Sequence, residues 1–260
     1  MPTAHARSQI LIGDDGLDRL RHKTVLIAGL GGVGGYCAEA VARAGVGQMI
    51  ILDHDTVSPS NLNRQLLALH STLGRKKTEV MRERLLDINP ELALTVCDRF
   101  IHPSDAGEWL AAYTPDMLAD CIDSIACKAA LVAAAQARGI AVISAMGAGN
   151  RLDVSRARIR SLNQTSGCPL ARELRRTLKT HGANLGYPVV YSDEPRRQPL
   201  PHQPVGGDVP GRARAVNGTI SYLPALFGIM MAGHIIQTLL AEPYTVNNLL
   251  NSARPGLLAD

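Results

Sequence analysis

Thr24-Val-Leu-Ile-Ala-Gly29-Leu-Gly-Gly-Val-Gly34-Gly, followed by Gln48-Met-Ile-Ile-Leu-Asp53-His-Asp55, decides the fold. Val25 to Ala28 is a short apolar run of the kind that forms a strand buried on both faces. The glycines behind it permit a tight turn and leave backbone N–H groups bare at the start of the next helix. Such a helix end carries partial positive charge and binds phosphate. The Ala-rich segment 36–45 ends at Gly45 and predicts a helix with its C-terminal stop. Gln48 to Leu52 reads as a second strand. It delivers Asp53 about twenty residues past the glycines, where a carboxylate binds ribose hydroxyls. The unit is a βαβ nucleotide site with Gly29, Gly31, Gly32, Gly34 and Asp53 as its candidate contacts. The glycine pattern alone leaves the nucleotide open.

Working outward, residues 8–21 predict a short helix capped by Asp14 and Asp15. A helix is expected from Gly74 to Ile88, strands at 92–97 and 117–122, an Ala-rich helix at 126–138 and a strand at 141–145. This alternation predicts an α/β, Rossmann-like, doubly wound and mainly parallel sheet with right-handed crossovers. Beyond residue 150 the character changes. Arg156 to Arg160 reads as an added antiparallel edge, 169–179 as a basic helix with Pro in its first turn, 189–191 as a brief strand, and 220–240 as a C-terminal helix. Residues 1–150 are expected to form the nucleotide-binding core. Residues 151–260 are expected to be an extension of the same domain. The stretch 193–214, dense in Pro, Gly and Arg, cannot bury a core and is expected to be a mobile loop.

Composition narrows the class. Hydrophobic residues make up 46% of the 260 but aromatic residues only 3%, so the core must be aliphatic. A net charge of +4 is compatible with an anionic ligand or RNA and is common in cytosolic proteins. The five cysteines include no Cys-x-x-Cys pair, so no zinc is expected. Their odd number and the absence of an apolar leader point to reduced thiols and a cytoplasmic location. The segment 220–240 is long enough to span a membrane. His234, Gln237 and the early Pro224 favour instead a helix buried in the core or at a dimer interface, with no membrane partner.

Three donors follow the nucleotide unit: Asn61, Arg64 and Lys77, on loops leaving the carboxyl end of the sheet. Guanidinium and ammonium groups there suit a triphosphate and the charge that builds up during attack on phosphorus. Asp123, at the end of the fourth strand, is placed to hold the Mg²⁺ that a triphosphate brings. Each alone reads as a solvated surface group, but together, behind a glycine turn, they favour ATP over the NAD of a nicotinamide dehydrogenase. His54 and His70 could shuttle a proton or make ordinary polar contacts.

Gly29-Leu-Gly-Gly-Val-Gly34, Leu52-Asp-His-Asp-Thr-Val-Ser, Asn61-Leu-Asn-Arg-Gln65, Gly74-Arg-Lys-Lys77 and Cys121-Ile-Asp-Ser124 resemble the adenylation signature of the ubiquitin-activating-enzyme-like superfamily. Arg7-Ser-Gln-Ile-Leu-Ile-Gly13, Thr165-Ser-Gly-Cys-Pro-Leu-Ala171 and Gly218-Thr-Ile-Ser-Tyr-Leu-Pro224 extend the likeness to its tRNA threonylcarbamoyladenosine dehydratase branch. The resemblance implies an ATP-dependent cyclisation of a modified adenosine in tRNA by way of an acyl adenylate. It implies that the glycine turn, Asp53 and Gln65 hold ATP, and that Arg7, Asn61, Arg64 and Lys77 surround the phosphates, with Asp123 on the metal. It also implies that residues 1–150 are the ATP-binding adenylation core and residues 151–260 a substrate- and tRNA-facing, dimer-forming extension of the same domain, with a homodimer in which Arg7 serves the partner's site. Cys168 is a candidate for the substrate cavity or a structural thiol. Arg172, Arg175 and Arg176 share one helix face and are candidates for tRNA contact. Gly35 departs from the branch, where Ser is common. The rival reading is adenylation of a ubiquitin-like sulfur carrier, which would bring a carrier or sulfur-transfer partner. That reading usually comes with paired zinc cysteines, which this chain lacks.

Overall fold

The computed structural model describes residues 4–198 and 217–241, so most of the expected loop 193–214 lies outside the described residues. Seven strands form one sheet: β1 (Thr24–Ala28), β2 (Gln48–Asp53), β3 (Ala93–Asp98), β4 (Met117–Asp120), β5 (Ala141–Ala145), β6 (Ala157–Ser161) and β7 (Pro188–Ser192). Their spatial order is β3-β2-β1-β4-β5-β7-β6. All pairs are parallel except β6 with β7, which closes the sheet with an antiparallel edge. The expected doubly wound architecture is therefore what the chain adopts. Arg158 and Arg160 stand exposed on the outermost strand, and charge on an edge discourages pairing with another chain.

The apolar strands are buried because helices cover both faces. On one lie α1 (Ala6–Arg21), α2 (Gly34–Arg43), α3 (Lys77–Ile88) and α7 (Tyr222–Leu240); on the other lie α4 (Ala106–Ala111), α5 (Ile125–Ala137) and α6 (Pro169–Thr180). Alternation along β1 divides the work: Val25 and Ile27 face the first layer, Leu26 and Ala28 the second. The long apolar helix α7 packs Phe227, Met231 and Ile235, each 0% exposed, against α2 and the sheet. It is a core helix.

Several local expectations are corrected. α1 starts at Ala6 and passes through a break at Gly13 (φ 71°, ψ 177°), so Asp14 and Asp15 follow that break and do not cap the helix at its start. α3 begins at Lys77, because Gly74 turns at φ 80° and Thr56 pairs with Lys76 in an isolated bridge. The fourth strand ends at Asp120, two residues early. Helix α4 was not expected, since six residues are too few to show a helical period, yet it buries Trp109 and Leu110.

Two glycines set how closely α2 can be approached. A Cβ on Gly228 of α7 would lie 2.3 Å from the Val33 carbonyl oxygen, whereas one on Gly35 would meet only ordinary neighbours, Leu66 at 3.5 Å and Met81 at 3.7 Å. Gly228→Ala should therefore push α7 off α2 and cost about 1–3 kcal/mol. Gly35→Ala should be neutral or stabilise by up to about 1 kcal/mol, since alanine is the better helix former. Denaturant unfolding of both variants checks this, and equal midpoints would refute the packing argument.

Candidate active site

A cavity of about 590 Å³ opens where β1, β2, β4 and β5 end, at the reversal of strand order between β1 and β4. Open α/β sheets hold their ligands at this place, because the loops diverge there. Its floor is the glycine turn. Gly29 bends at φ 90°, and Gly34 packs so tightly on Gly29 that an added Cβ would sit 1.7 Å from the Gly29 carbonyl oxygen. Gly31 has almost nothing near its missing Cβ, so its backbone lies open to the cavity. No side chain caps α2; Gly35 N–H is taken by Gly31 O at 3.1 Å, and the remaining N–H groups of the first turn are left for a ligand.

Asp53 ends β2 with its carboxylate 8% exposed. One oxygen accepts Leu30 N–H at 2.6 Å; the other accepts His54 N–H at 2.8 Å and Asp55 N–H at 2.9 Å. The carboxylate thus ties the glycine turn to the chain leaving β2, and it also lines the cavity. Asp55 in turn receives the Lys77 ammonium at 2.7 Å, with the lysine side chain only 6% exposed. This partner of Lys77 was not foreseen. Asn61 sits buried in a short 3-10 turn, where its Oδ1 accepts Ser58 N–H at 3.1 Å. Arg64 reaches over the rim, donating to Ser60 O and Asn63 Oδ1. Gln65 is buried in the wall, and its Oε1 has no hydrogen-bond partner among the described residues. A buried carbonyl left this way is costly unless a ligand or water reaches it.

Asp123 projects from the loop after β4 into the cavity, exposed and without a hydrogen bond to the described residues. That suits a carboxylate meant for a metal. Asp53, His54 and Asp55 also cluster closely enough to hold a cation. There, however, the Lys77 ammonium already occupies Asp55, and Asp53 is committed to three backbone donors. We therefore assign the better fit to Asp123. The donor set, the bare helix end and the unpartnered Gln65 carbonyl together fit a nucleotide triphosphate.

Other predicted residues fall elsewhere. Arg7 is exposed on α1 and does not line its own chain's cavity. His54 stands at the rim, 3.3 Å from Asp55, while His70 lies in a 3-10 turn away from the cavity. Cys168 is buried behind Gly147 and does not line the cavity. The basic face of α6 is kept in part: Arg172 and Arg176 are both exposed, and only Arg175 leaves it. Arg175 turns inward onto Leu162 O and Thr165, while Arg176 pairs with Glu173 at 2.9 Å. Desolvation, with Cys37 and Asp120 nearby, raises the thiol of the partly buried Cys121 well above the ordinary range. Burial likewise pushes Cys37 up to about 12. Neither is a nucleophile at neutral pH.

Sequence reading also missed Arg151, which is 2% exposed. Its guanidinium donates to the carbonyls of Gly147, Gly167 and Glu194, holding three loops of the cavity's far wall together. Nothing local in the sequence signals those partners.

Partial burial raises the Asp55 carboxyl, but the hydrogen bond and charge of Lys77, with His54 and Lys76, outweigh it and hold the pKa below the usual value. The stabilisation from this pair is thus complete above the unfolded carboxylate pKa of about 3.9 and is lost as pH falls through the lower folded value. Carboxyl-carbon NMR should place the Asp55 midpoint below that of a free aspartate, and Lys77→Met should raise it. An unchanged midpoint would mean that the pair does not form in solution.

With this geometry in place, comparison with known proteins is informative. A model of the ThiF family matches residues 5–256. The tRNA threonylcarbamoyladenosine dehydratase of Bacillus subtilis is 35% identical over 242 residues, covering 91% of this chain and 94% of that one. The crystal structure of the Escherichia coli tRNA N6-threonylcarbamoyladenosine dehydratase in complex with ATP superposes with a TM-score of 0.78 at 29% identity, covering 97% of this chain and 100% of that one. The Escherichia coli molybdopterin-synthase adenylyltransferase is 38% identical, but over only 50% of this chain and 51% of its own. Since the match runs through the glycine turn, the cavity loops and α7 alike, the chain belongs to the ThiF family and shares its full-length likeness with the tRNA threonylcarbamoyladenosine dehydratases.

Proposed function

We propose that this protein is an ATP-dependent tRNA-modifying enzyme that cyclises threonylcarbamoyladenosine with loss of water. One observation carries the reading. The cavity that holds Asp53, Asn61, Arg64, Gln65, Lys77 and Asp123 continues into a second wall of Ala145 to Gly149, Leu170 and Thr219, so two reactants can meet there. In a chain similar along its length to dehydratases, the second reactant is the modified nucleoside. Residues 1–150 then supply the nucleotide half and much of the second wall, to which residues 151–260 add Leu170 and Thr219, in a cytosolic enzyme.

The threonyl carboxylate is an anion and a poor electrophile. Its attack on the α-phosphorus of ATP expels pyrophosphate and leaves an acyl adenylate. A nitrogen of the neighbouring carbamoyl group closes the ring, releasing AMP and a proton, so the oxygen lost from the carboxylate departs in AMP. Ring closure benefits from the high effective concentration of the tethered nitrogen. Asp53 would hold the ribose, the start of α2 and Asn61 the phosphates, and Arg64 and Lys77 the charge that grows at phosphorus. Lys77 must exchange Asp55 for phosphate, a move its flexible stem allows. Mg²⁺ held by Asp123 would neutralise charge on the polyphosphate. No protein nucleophile is needed, in keeping with the protonated state of Cys121.

The reaction is tested by supplying ATP, Mg²⁺ and tRNA bearing threonylcarbamoyladenosine, then digesting the product and weighing the nucleoside. Loss of one water is expected, and an unchanged mass together with calorimetric preference for NAD would sink the reading. Lys77→Ala and Arg64→Ala should each lower turnover about a hundredfold or more, with ATP affinity falling less. Arg7, exposed on α1 and outside its own cavity, would serve the site of a second copy in a homodimer. Mixing inactive Arg7→Ala with inactive Lys77→Ala protein should then restore part of the activity, whereas heterodimers that form and stay inactive would exclude a shared site.

A further inference from the structure

Asp120 and Lys128 form an ion pair with both side chains 0% exposed, Nζ to Oδ2 at 2.7 Å. The lysine also lies 3.3 Å from the Asp120 carbonyl, and Ser144 donates to the same carboxylate oxygen at 2.6 Å. Around them pack Ala129, Leu131 and Val132 of α5. In such surroundings the cost of desolvating two charges offsets most of their attraction, so an apolar pair of equal volume would serve stability as well. Stability therefore does not explain the pair. Its position does.

Asp120 is the last residue of β4 and Lys128 lies in the first turns of α5; the loop between them carries Asp123 into the cavity. The other carboxylate oxygen of Asp120 accepts Ile122 N–H at 3.2 Å, one residue before Asp123. The Lys128 backbone N–H makes the first-turn bond of α5 to Ser124 O at 2.9 Å, which places the lysine on the helix that begins just after Asp123. The Asp120 carboxylate thus holds the chain just before Asp123, and its buried bond to Lys128 Nζ ties that side of the loop to the helix that starts on the other. We propose that Asp120–Lys128 is a positioning latch that sets Asp123 for the metal of a bound metal–nucleotide complex. This inference rests on the reading of Asp123 as the metal-holding carboxylate. The glycine turn is fixed separately, by Asp53 on Leu30 N–H and by the close contact of Gly34 with Gly29, so phosphate binding there does not need the latch.

The test replaces the pair by apolar groups of similar size, Asp120→Leu with Lys128→Met, leaving no charge buried alone. Calorimetry should show affinity for ATP in the presence of Mg²⁺ reduced about 10–100-fold, the usual scale for losing a group that orients a metal ligand. AMP binding without metal should match wild type, and the melting temperature should stay close to it. Ser144→Ala, which removes one bond to the same carboxylate oxygen and no charge, should shift the Mg²⁺ requirement the same way by less. Wild-type Mg²⁺ dependence in the double variant overturns the proposal. Equal loss of AMP and Mg²⁺–ATP affinity alongside a lowered melting temperature also overturns it, since that is a merely structural role. Asp123→Asn separates the two levels. If it raises the Mg²⁺ requirement while the double variant does not, the latch alone fails. If it changes nothing, the reading of Asp123 fails and the latch with it.

Discussion

The Asp53 carboxylate binding the backbone of two separate loops is the interaction on which the site depends. Through Leu30 N–H it holds the glycine turn; through His54 and Asp55 N–H it fixes the chain leaving β2. Asp55, so placed, holds Lys77 at the cavity wall, by both its carboxylate and its carbonyl. A buried carboxylate is tolerable only when its oxygens are met by donors. The glycine turn can supply one because Gly29 takes a left-handed φ. Loss of that turn would therefore leave the carboxylate short of a donor and Lys77 without its anchor, not merely reshape a loop.

A second constraint comes from the packing of α7 on α2. Gly228 lies against the Val33 carbonyl at the very turn where α2 begins. The most C-terminal helix described thus braces the most N-terminal functional element. This explains why an apolar helix of 19 residues belongs to the core: eight of its residues are buried, on the face toward α2 and the sheet. Its outer face still shows Ile229, half exposed. That exposure is compatible with a further packing partner such as a second copy.

Electrostatics within the cavity is arranged by mutual cancellation. Lys77 with Asp55 and Lys128 with Asp120 are each neutral as pairs, but only the first faces the cavity. In the proposed reaction a nucleotide phosphate would displace Asp55 from Lys77, and Asp55, half exposed, would return to water at little cost. Nothing comparable can release Lys128, whose partner is wholly enclosed. One pair is built to exchange, the other to stay. The same contrast separates Arg64, reaching over the rim from the surface, from Arg151, whose guanidinium is locked to three carbonyls.

What the sequence alone determined is local. The apolar run of Val25 to Ala28, the glycines behind it and Asp53 at the following strand end are written within a few turns of chain. They suffice for the βαβ unit, the mainly parallel sheet and the nucleotide cavity. Asn61, Arg64, Gln65, Lys77 and Asp123 were legible because each follows a strand end or opens a helix, and in an open α/β sheet such positions share one edge. The antiparallel edge at Arg156 to Arg160 was legible from its alternation. Tertiary structure alone decided where long side chains turned. Arg175 and Arg176 share a helix face with Arg172, yet one folds onto Thr165 and the other onto Glu173. Nothing local in the sequence marks Lys128 or Arg151 as buried, yet the fold encloses both. The physical reason is reach. Backbone conformation is set by neighbours in sequence, but a long charged side chain is stabilised by whichever carboxylate or carbonyl the fold brings near it, at any separation along the chain.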